Sequence, residues 1–293
     1  MFRYKLYIYC KYAKFIGLLA FIISWFHDAI IFKLLCCFSL LLFGEIALSY
    51  STWKCSILQL VGINKVNKKY GDNIPNIDNY ECSISYDLPF NGEWTVVNGC
   101  FTKEYSHSWE IPTQRYAYDF IMLDESGKSW EGNTTKAESY YCYDKAILSP
   151  ADGVIIEIVN KSKDSLLLGS GQFFSYANHI AGNYIVIQHG EKEYSTLAHL
   201  KKDSILVKVG DKVTRGQEIA RCGNTGNSSE PHLHFQLQDG PSFYFSAGLP
   251  IRFSNIKINK PSNYGCIDKR PCMDTQRILP GRITRGYNVS NNN

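Results

Sequence analysis

The sequence predicts an all-β protein, an antiparallel sandwich or barrel, carried behind an N-terminal helical membrane anchor. Three observations carry this reading. The first 50 residues hold two nearly charge-free runs, "FIGLLAFIISWF" (15–26) and "LLCCFSLLLFGEIAL" (34–48). From about residue 82 the chain breaks into short β-type runs separated by turn residues, with no long amphipathic helix between them. Within that part, "HLHFQLQD" (232–239) alternates polar and apolar side chains. In a strand this puts His232 and His234 on one face, and Leu233 and Phe235 on the other, toward a core.

The anchor comes first along the chain. A spanning helix needs about 20 predominantly apolar residues. The first run reaches that length by extending back through "YIYCKYAK", with Lys11 and Lys14 snorkelling toward the headgroups. The second fits as one helix from Ala29 to Tyr50 that tolerates Lys33 and Glu45 near its ends. A two-helix hairpin over residues 1–50 is the expectation, with a single span and a signal-like segment as alternatives. A cleaved signal is disfavoured because a second apolar run follows and no small-x-small cleavage site stands out. Arg3, Lys5, Lys11 and Lys14 precede the pair, Lys54, Lys65, Lys68 and Lys69 follow it, and the loop between carries only His27 and Asp28. The positive-inside tendency places both flanks in the cytoplasm.

Residues 51–81 read as a linker ending in "YGDNIPNIDNY", residues 82–258 as the β domain, and residues 259–293 as a polar C-terminal tail of loops, fraying near "YNVSNNN". The β-runs are "EWTVVNGCF" (93–101), "RYAYDFIML" (115–123), "AILSPADGVIIEIVN" (146–160), a hairpin of "NYIVIQHG" (183–190) with "EYSTLAHL" (193–200), "ILVKVGDKVTRGQEIARCG" (205–223), and the His232 strand.

Composition excludes several classes. Basic residues exceed acidic ones by four and are scattered, so no nucleic-acid footprint is present. No internal repeat recurs at a fixed period. The ten cysteines include no C-x-x-C, so zinc-finger and thioredoxin-like readings fail. Cys266 and Cys272 can bridge a small loop if the domain lies in an oxidising compartment.

Zinc sites that perform chemistry use three protein ligands and leave one position open. His234 is one candidate. Asp119 is another: it sits between "YAY" and "FIML", and a carboxylate in an apolar strand must be paired or coordinated. An ordinary salt bridge is the bland alternative. His107, in the loop-like "YSHSWEIPTQ", is a weaker candidate, since loop histidines are commonly just solvated. His199 ends the strand "STLAHL" and can reach the same face. Structural roles are expected for His189, before a turn glycine, and for loop His179, while His27 belongs to the anchor.

The stretches "GNYIVIQHG", "YSTLAHL" and "VKVGDKVTRGQEIARCGNTGNSSEPHLHFQ" resemble the M23 metallopeptidases, the lysostaphin-type zinc endopeptidases that cut peptidoglycan peptides. The resemblance is dense from about Tyr116 to Gln238 and absent before about residue 80. It implies an antiparallel β-sandwich or hammerhead-like peptidase core. It also implies zinc held by His107, Asp119 and His234, with His199 and His232 as the catalytic pair. One imidazole would take the proton of a zinc-activated water and the other would stabilise the developing oxyanion. The sequence departs from the commonest family pattern in one respect: eleven residues, not three, separate His107 from Asp119. "HSWEIPTQRYAYDF" resembles a subgroup with a long version of this motif.

The implied substrate is a peptidoglycan stem or cross-bridge peptide, in a groove walled by loops 162–182 and 223–231, where Gly, Ser and Asn suit close backbone approach. A wall substrate demands an external domain, against the charge bias. A single span from Ala29 to Tyr50 removes that conflict. Two other classes were weighed. A non-catalytic scaffold that binds the wall or activates another hydrolase is disfavoured because all five positions are filled. "VKVGDKVTRGQEIA" also resembles lipoyl or biotinyl carrier domains, but no lysine stands on a suitable hairpin tip.

Overall fold

The computed structural model describes residues 1–261, 264–266 and 269–292. They form two compact units, Met1–Ile57 and Leu58–Asn293.

In the first unit, helix α1 (Phe2–Ile23) packs on a second apolar segment. That segment is built of α2 (Ile30–Leu35), a 3-10 turn (Cys36–Leu40) and α3 (Leu41–Leu48). Both Phe2–Ile23 and Ile30–Leu48 are long and apolar enough to cross a membrane. The first apolar run does extend back through "YIYCKYAK", as its length required. The two segments run antiparallel. Arg3 Nη2 donates to the Leu48 carbonyl at 3.0 Å, and Lys14 pairs with Glu45. Cys10, Ala13, Gly17 and Ala20 form the buried stripe of α1. A Cβ on Gly17 would stand 2.1 Å from the Ser39 nitrogen. Small residues at such a seam let two backbones approach closely.

Helix α4 (Tyr50–Tyr70) crosses the boundary between the units. The segment expected to be a linker is thus largely helical. Its second half gains its order by docking, as short helices generally must. Val66 is buried, a Cβ on Gly62 would meet the Tyr244 carbonyl oxygen at 1.9 Å, and Lys65 Nζ lies 4.1 Å over the Phe245 ring. Lys69 and Tyr70 both reach the Asp239 carboxylate.

The described strands of the second unit are β1 (Trp94–Asn98), β2 (Tyr118–Ile121), β3 (Ala146–Leu148), β4 (Gly153–Val159), β5 (Leu166–Gly169), β6 (Gln172–Phe174), β7 (Tyr184–Gly190), β8 (Glu193–Ala198), β9 (Lys212–Val213), β10 (Glu218–Arg221), β11 (Leu233–Gln238), β12 (Gly248–Leu249), β13 (Ile256–Asn259) and β14 (Asn288–Asn291). Ten form one antiparallel sheet in the order β13-β14-β1-β2-β11-β8-β7-β4-β9, with β12 paired to the end of β11. Strand β3 pairs with β10 and β5 with β6 in separate two-stranded sheets. The "YNVSNNN" stretch, expected to fray, supplies β14, which pairs with both β1 and β13. Tyr287 and Val289 are buried there, so tertiary contacts override a polar local sequence. The Cys266–Cys272 bridge falls on a side chain outside the described residues.

The main core lies on one face of the large sheet. Leu233, Phe235 and Leu237 of β11, Tyr118 and Phe120 of β2, Leu197 of β8, and Ile185 and Ile187 of β7 point into it. Ile147, Ile219 and Ala220 of the β3–β10 pair cover it. Each such burial is worth about 1.5–3 kcal/mol, so a one-residue slip of β11, which would turn three of them outward, costs roughly 6 kcal/mol. The alternation therefore locks His232, His234, Gln236 and Gln238 onto the opposite face.

The segment entering β1 is pinned by one carboxylate. Glu193, 4% exposed, accepts hydrogen bonds from Tyr80 Oη (2.8 Å), Ser83 N (2.5 Å), Ser83 Oγ (2.7 Å), Ile84 N (3.2 Å) and Tyr86 Oη (2.6 Å). Burial raises its pKa, but these donors outweigh that and hold it below the ordinary value. A carboxyl depressed by folding contributes stability that is full above its unfolded pKa of about 4.3 and is lost as pH falls below it. Glu193→Ala is expected to destabilise the second unit by about 3 kcal/mol, because buried donors lose their acceptor. Thermal unfolding at pH 7 checks this. The gap between wild type and variant should shrink below about pH 4.3.

Candidate metal centre

The sheet register builds the centre. Asp119 on β2 faces His234 on β11 as a direct cross-strand partner, and Asn98 on β1 faces Asp119 from the other side. His234 is in turn opposite Ala198, the last residue of β8. Such partners hold their Cβ atoms about 4.5–5.5 Å apart, so the pairing alone brings carboxylate and imidazole together. Asp119 Oδ1 lies 2.9 Å from His234 Nδ1, and Asn98 Nδ2 donates to Asp119 Oδ2 at 3.1 Å.

His107 returns to this row despite its long spacer, because the spacer coils on itself. Turns close at Ser108–Ile111, Ile111–Gln114 and Gln114–Ala117. Ser106 Oγ donates to the Arg115 carbonyl at 2.6 Å, and Gly248 N to the Pro112 carbonyl at 2.8 Å. His107 Nε2 thereby lies 3.1 Å from Asp119 Oδ2. One ligand atom from each of His107, Asp119 and His234 lies within 4.8 Å of the others.

His199 follows β8 directly and turns back with φ of +61°, a left-handed conformation uncommon for a residue with a side chain. Its N–H donates to the Ala181 carbonyl at 2.9 Å, and its Nδ1 lies 2.7 Å from the Thr225 carbonyl. Thr225 is held there by tight loop packing: a Cβ on Gly182 would stand 2.3 Å from the Thr225 carbonyl carbon. His232 places Nδ1 2.8 Å from the Glu230 carbonyl and Nε2 3.6 Å from Asp119 Oδ1. A carbonyl can only accept, so both rings carry their proton on Nδ1 when neutral, leaving an Nε2 lone pair for the cleft. The His199 and His232 rings are 4.5 Å apart.

A chain of amides sets the remaining tautomer. Gln236 Nε2 donates to the Thr113 carbonyl at 3.2 Å and to Gln238 Oε1 at 2.6 Å, which turns Gln236 Oε1 toward His234 Nε2 at 3.0 Å. His234 must donate from Nε2 there. Its Nδ1, 2.9 Å from a carboxylate oxygen, then presents a lone pair to an anion unless a proton or a cation lies between them. The two-imidazole, one-carboxylate donor set suits zinc, whose ligands at about 2.0 Å lie roughly 3–3.5 Å from one another.

Electrostatics agree with the geometry. Burial raises the Asp119 carboxyl, but the charges of His107 and His232 and the hydrogen bond from His107 hold it well below the usual range. Burial lowers His107, and the Asp119 charge and hydrogen bond outweigh it and raise the ring. Burial first, then the charges of His232 and His234, push His199 well below its ordinary value, so it is neutral near pH 7.

The five side chains line one cleft of about 240 Å³ that Phe173 and Phe243 help to wall. A second cavity of about 360 Å³ shares Asp119, Ser229 and His232 with it as lining residues, and is also lined by Glu230 and Arg270.

Residues 136–244 match the sequence model of Peptidase family M23. The chain carries an M23 peptidase domain. The match includes His199, His232 and His234 but begins after His107 and Asp119, so the upstream pair rests on geometry. The peptidoglycan DD-endopeptidase ShyA of Vibrio cholerae is 51% identical over 89 residues, covering 29% of this chain and 20% of ShyA. ShyB of the same organism is 43% identical over 97 residues, covering 32% of this chain and 22% of ShyB. The murein hydrolase activator NlpD of Salmonella typhimurium is 29% identical over 133 residues, covering 45% of this chain and 30% of NlpD. The chain thus matches about a fifth to a third of the length of each relative.

All five residues singled out in the sequence line this one cleft. His189 lies elsewhere, between the Asp152 carbonyl and Ser195 Oγ, each at 2.8 Å. His179 packs on Tyr184, Phe243 and Tyr244. Sequence reasoning missed Gln236 and Thr225, which orient His234 and His199. Extending the alternation two residues beyond His234 would have put Gln236 on the same face.

Proposed function

We propose that this chain is a membrane-anchored zinc metalloendopeptidase that hydrolyses peptide bonds in peptidoglycan stem or cross-bridge peptides. The observation that carries the reading is the convergence of His107, Asp119 and His234 beside two imidazoles that both offer Nε2 to one cleft. Zinc held by those three residues supplies Lewis-acid polarisation of a scissile carbonyl and an attacking water. His199, kept neutral by burial, accepts the water's proton at Nε2, and the Thr225 carbonyl stabilises the imidazolium that results. His232, fixed through Nδ1 by the Glu230 carbonyl, faces the same point and, in its imidazolium form, donates from Nε2 to the oxygen that becomes negative. The named activity of ShyA and ShyB supports a wall peptide as substrate.

A second reading, a wall-binding scaffold that activates another hydrolase, is favoured by the NlpD match, which spans more of the chain than the ShyA match does. Metal content and hydrolysis separate the two. The purified protein is expected to hold one zinc per chain and to cut cross-linked muropeptides. Asp119→Ala and His234→Ala should lose both zinc and hydrolysis, and His107→Ala should weaken zinc retention. His199→Ala and His232→Ala should keep zinc and lose hydrolysis by about 100-fold or more. Full zinc in Asp119→Ala or His234→Ala would overturn the ligand assignment, and a wild type without zinc that cuts nothing but still stimulates a partner hydrolase would favour the scaffold.

The anchor reading puts residues 1–50 in the bilayer, and a wall substrate puts the M23 domain on the outer side, against the charge bias. An Asn292→Cys variant, exposed at that position, is expected to react with a membrane-impermeant thiol reagent in intact cells, above the background of the native cysteines. Protection until lysis would place the domain inside and remove mature peptidoglycan as the substrate.

A further inference from the structure

We propose that Gln114 is a substrate-contacting residue of the site, its side-chain amide donating to the carbonyl oxygen of the peptide bond under attack. The inference rests on the peptidase reading and deepens it. Gln114 is 5% exposed, and its Nε2 is buried with no hydrogen-bond partner among the described residues. It lines the same cleft as His107, Asp119, His199, His232 and His234. A buried amide donor without an acceptor is unfavourable, and native proteins keep one chiefly where a ligand completes it.

The residue is not loosely placed. Its N–H donates to the Ile111 carbonyl at 2.9 Å, and its carbonyl accepts from Ala117 N at 3.2 Å. The preceding carbonyl, of Thr113, is held by the same Gln236 that orients His234. The long spacer between His107 and Asp119 therefore does more than return His107 to the sheet. It fixes a donor in register with the histidines.

The chemistry of the missing partner follows from what surrounds it. A neutral N–H donor requires an oxygen acceptor. An extended peptide offers one carbonyl per residue, and the carbonyl that enters this cleft lies among the groups assigned to the reaction. An amide there donates without adding a positive charge that would compete with a cation at Asp119. As negative charge develops on the carbonyl oxygen, the hydrogen bond strengthens, so its contribution falls on turnover more than on substrate affinity.

The test uses the zinc-loaded full chain in detergent micelles. Gln114→Met keeps the length without the donor, and Gln114→Glu replaces the donor with an acceptor. Both should hold one zinc per chain. Gln114→Met should lose kcat on cross-linked muropeptide by on the order of 100-fold with little change in KM, and Gln114→Glu at least as much. In glutamine-¹⁵N-labelled wild type, the Gln114 side-chain amide signal, assigned by its absence in Gln114→Met, should shift on titration with uncross-linked muropeptide. Full kcat in Gln114→Met, or an amide signal unmoved at saturation, overturns the proposal. A wild type that holds no zinc and cuts nothing overturns the peptidase reading instead. The amide signal then decides alone: a shift leaves Gln114 as a peptide donor on a binding domain, and no shift removes that role too.

Discussion

The Asp119 carboxylate is the constraint around which the rest of the second unit is arranged. It is 6% exposed, in a strand whose neighbours Tyr118 and Phe120 are buried in the main core. An ionised carboxylate in that position is tolerated only with compensating charge and hydrogen bonds. The fold supplies three imidazoles and the Asn98 amide around it. The amide chain through Gln236 then turns the lone pair of His234 toward the carboxylate, an arrangement that a cation reconciles. The strand pairing that creates this cluster is the same pairing that buries Leu233, Phe235 and Leu237, so the stability of the core and the geometry of the site share one register.

Around that fixed row, the loops supply what the sheet cannot. The 107–117 turns carry His107 and Gln114. The 223–231 loop brings the Thr225 and Glu230 carbonyls under His199 and His232. The 239–246 segment, which contributes Phe243 to the cleft wall, is held from behind by the second half of α4 through Gly62, Lys65, Lys69 and Tyr70. The residues that follow the apolar hairpin along the chain thus brace one wall of the cleft.

Much of this was legible in the sequence, for identifiable reasons. His232 and His234 betray their shared face through period-two alternation, and Asp119 stands out as a charge in an apolar run. Those signals are local. His107 was weaker because its approach depends on a loop that closes through Ser106 and Arg115, contacts that no spacing rule encodes. Helix α4 hid in a segment whose order comes from docking on residues about 180 positions later, and β14 hid because "NVSN" acquires its strand character only from its partners on either side. The sandwich expectation anticipated antiparallel strands around a core, but not that most of them would join one ten-stranded sheet. Gln114 and Gln236 were invisible because an amide takes its role entirely from what it faces.

The claim on which the account turns is that a metal sits on the carboxylate and two imidazoles at the centre of the sheet. X-ray absorption at the zinc edge of the purified full chain measures that coordination directly. Zinc held by His107, Asp119 and His234 gives only nitrogen and oxygen neighbours at about 2.0–2.1 Å, with imidazole scattering from two rings. A sulfur neighbour at about 2.3 Å, or imidazole scattering that persists unchanged in Asp119→Ala, would contradict it.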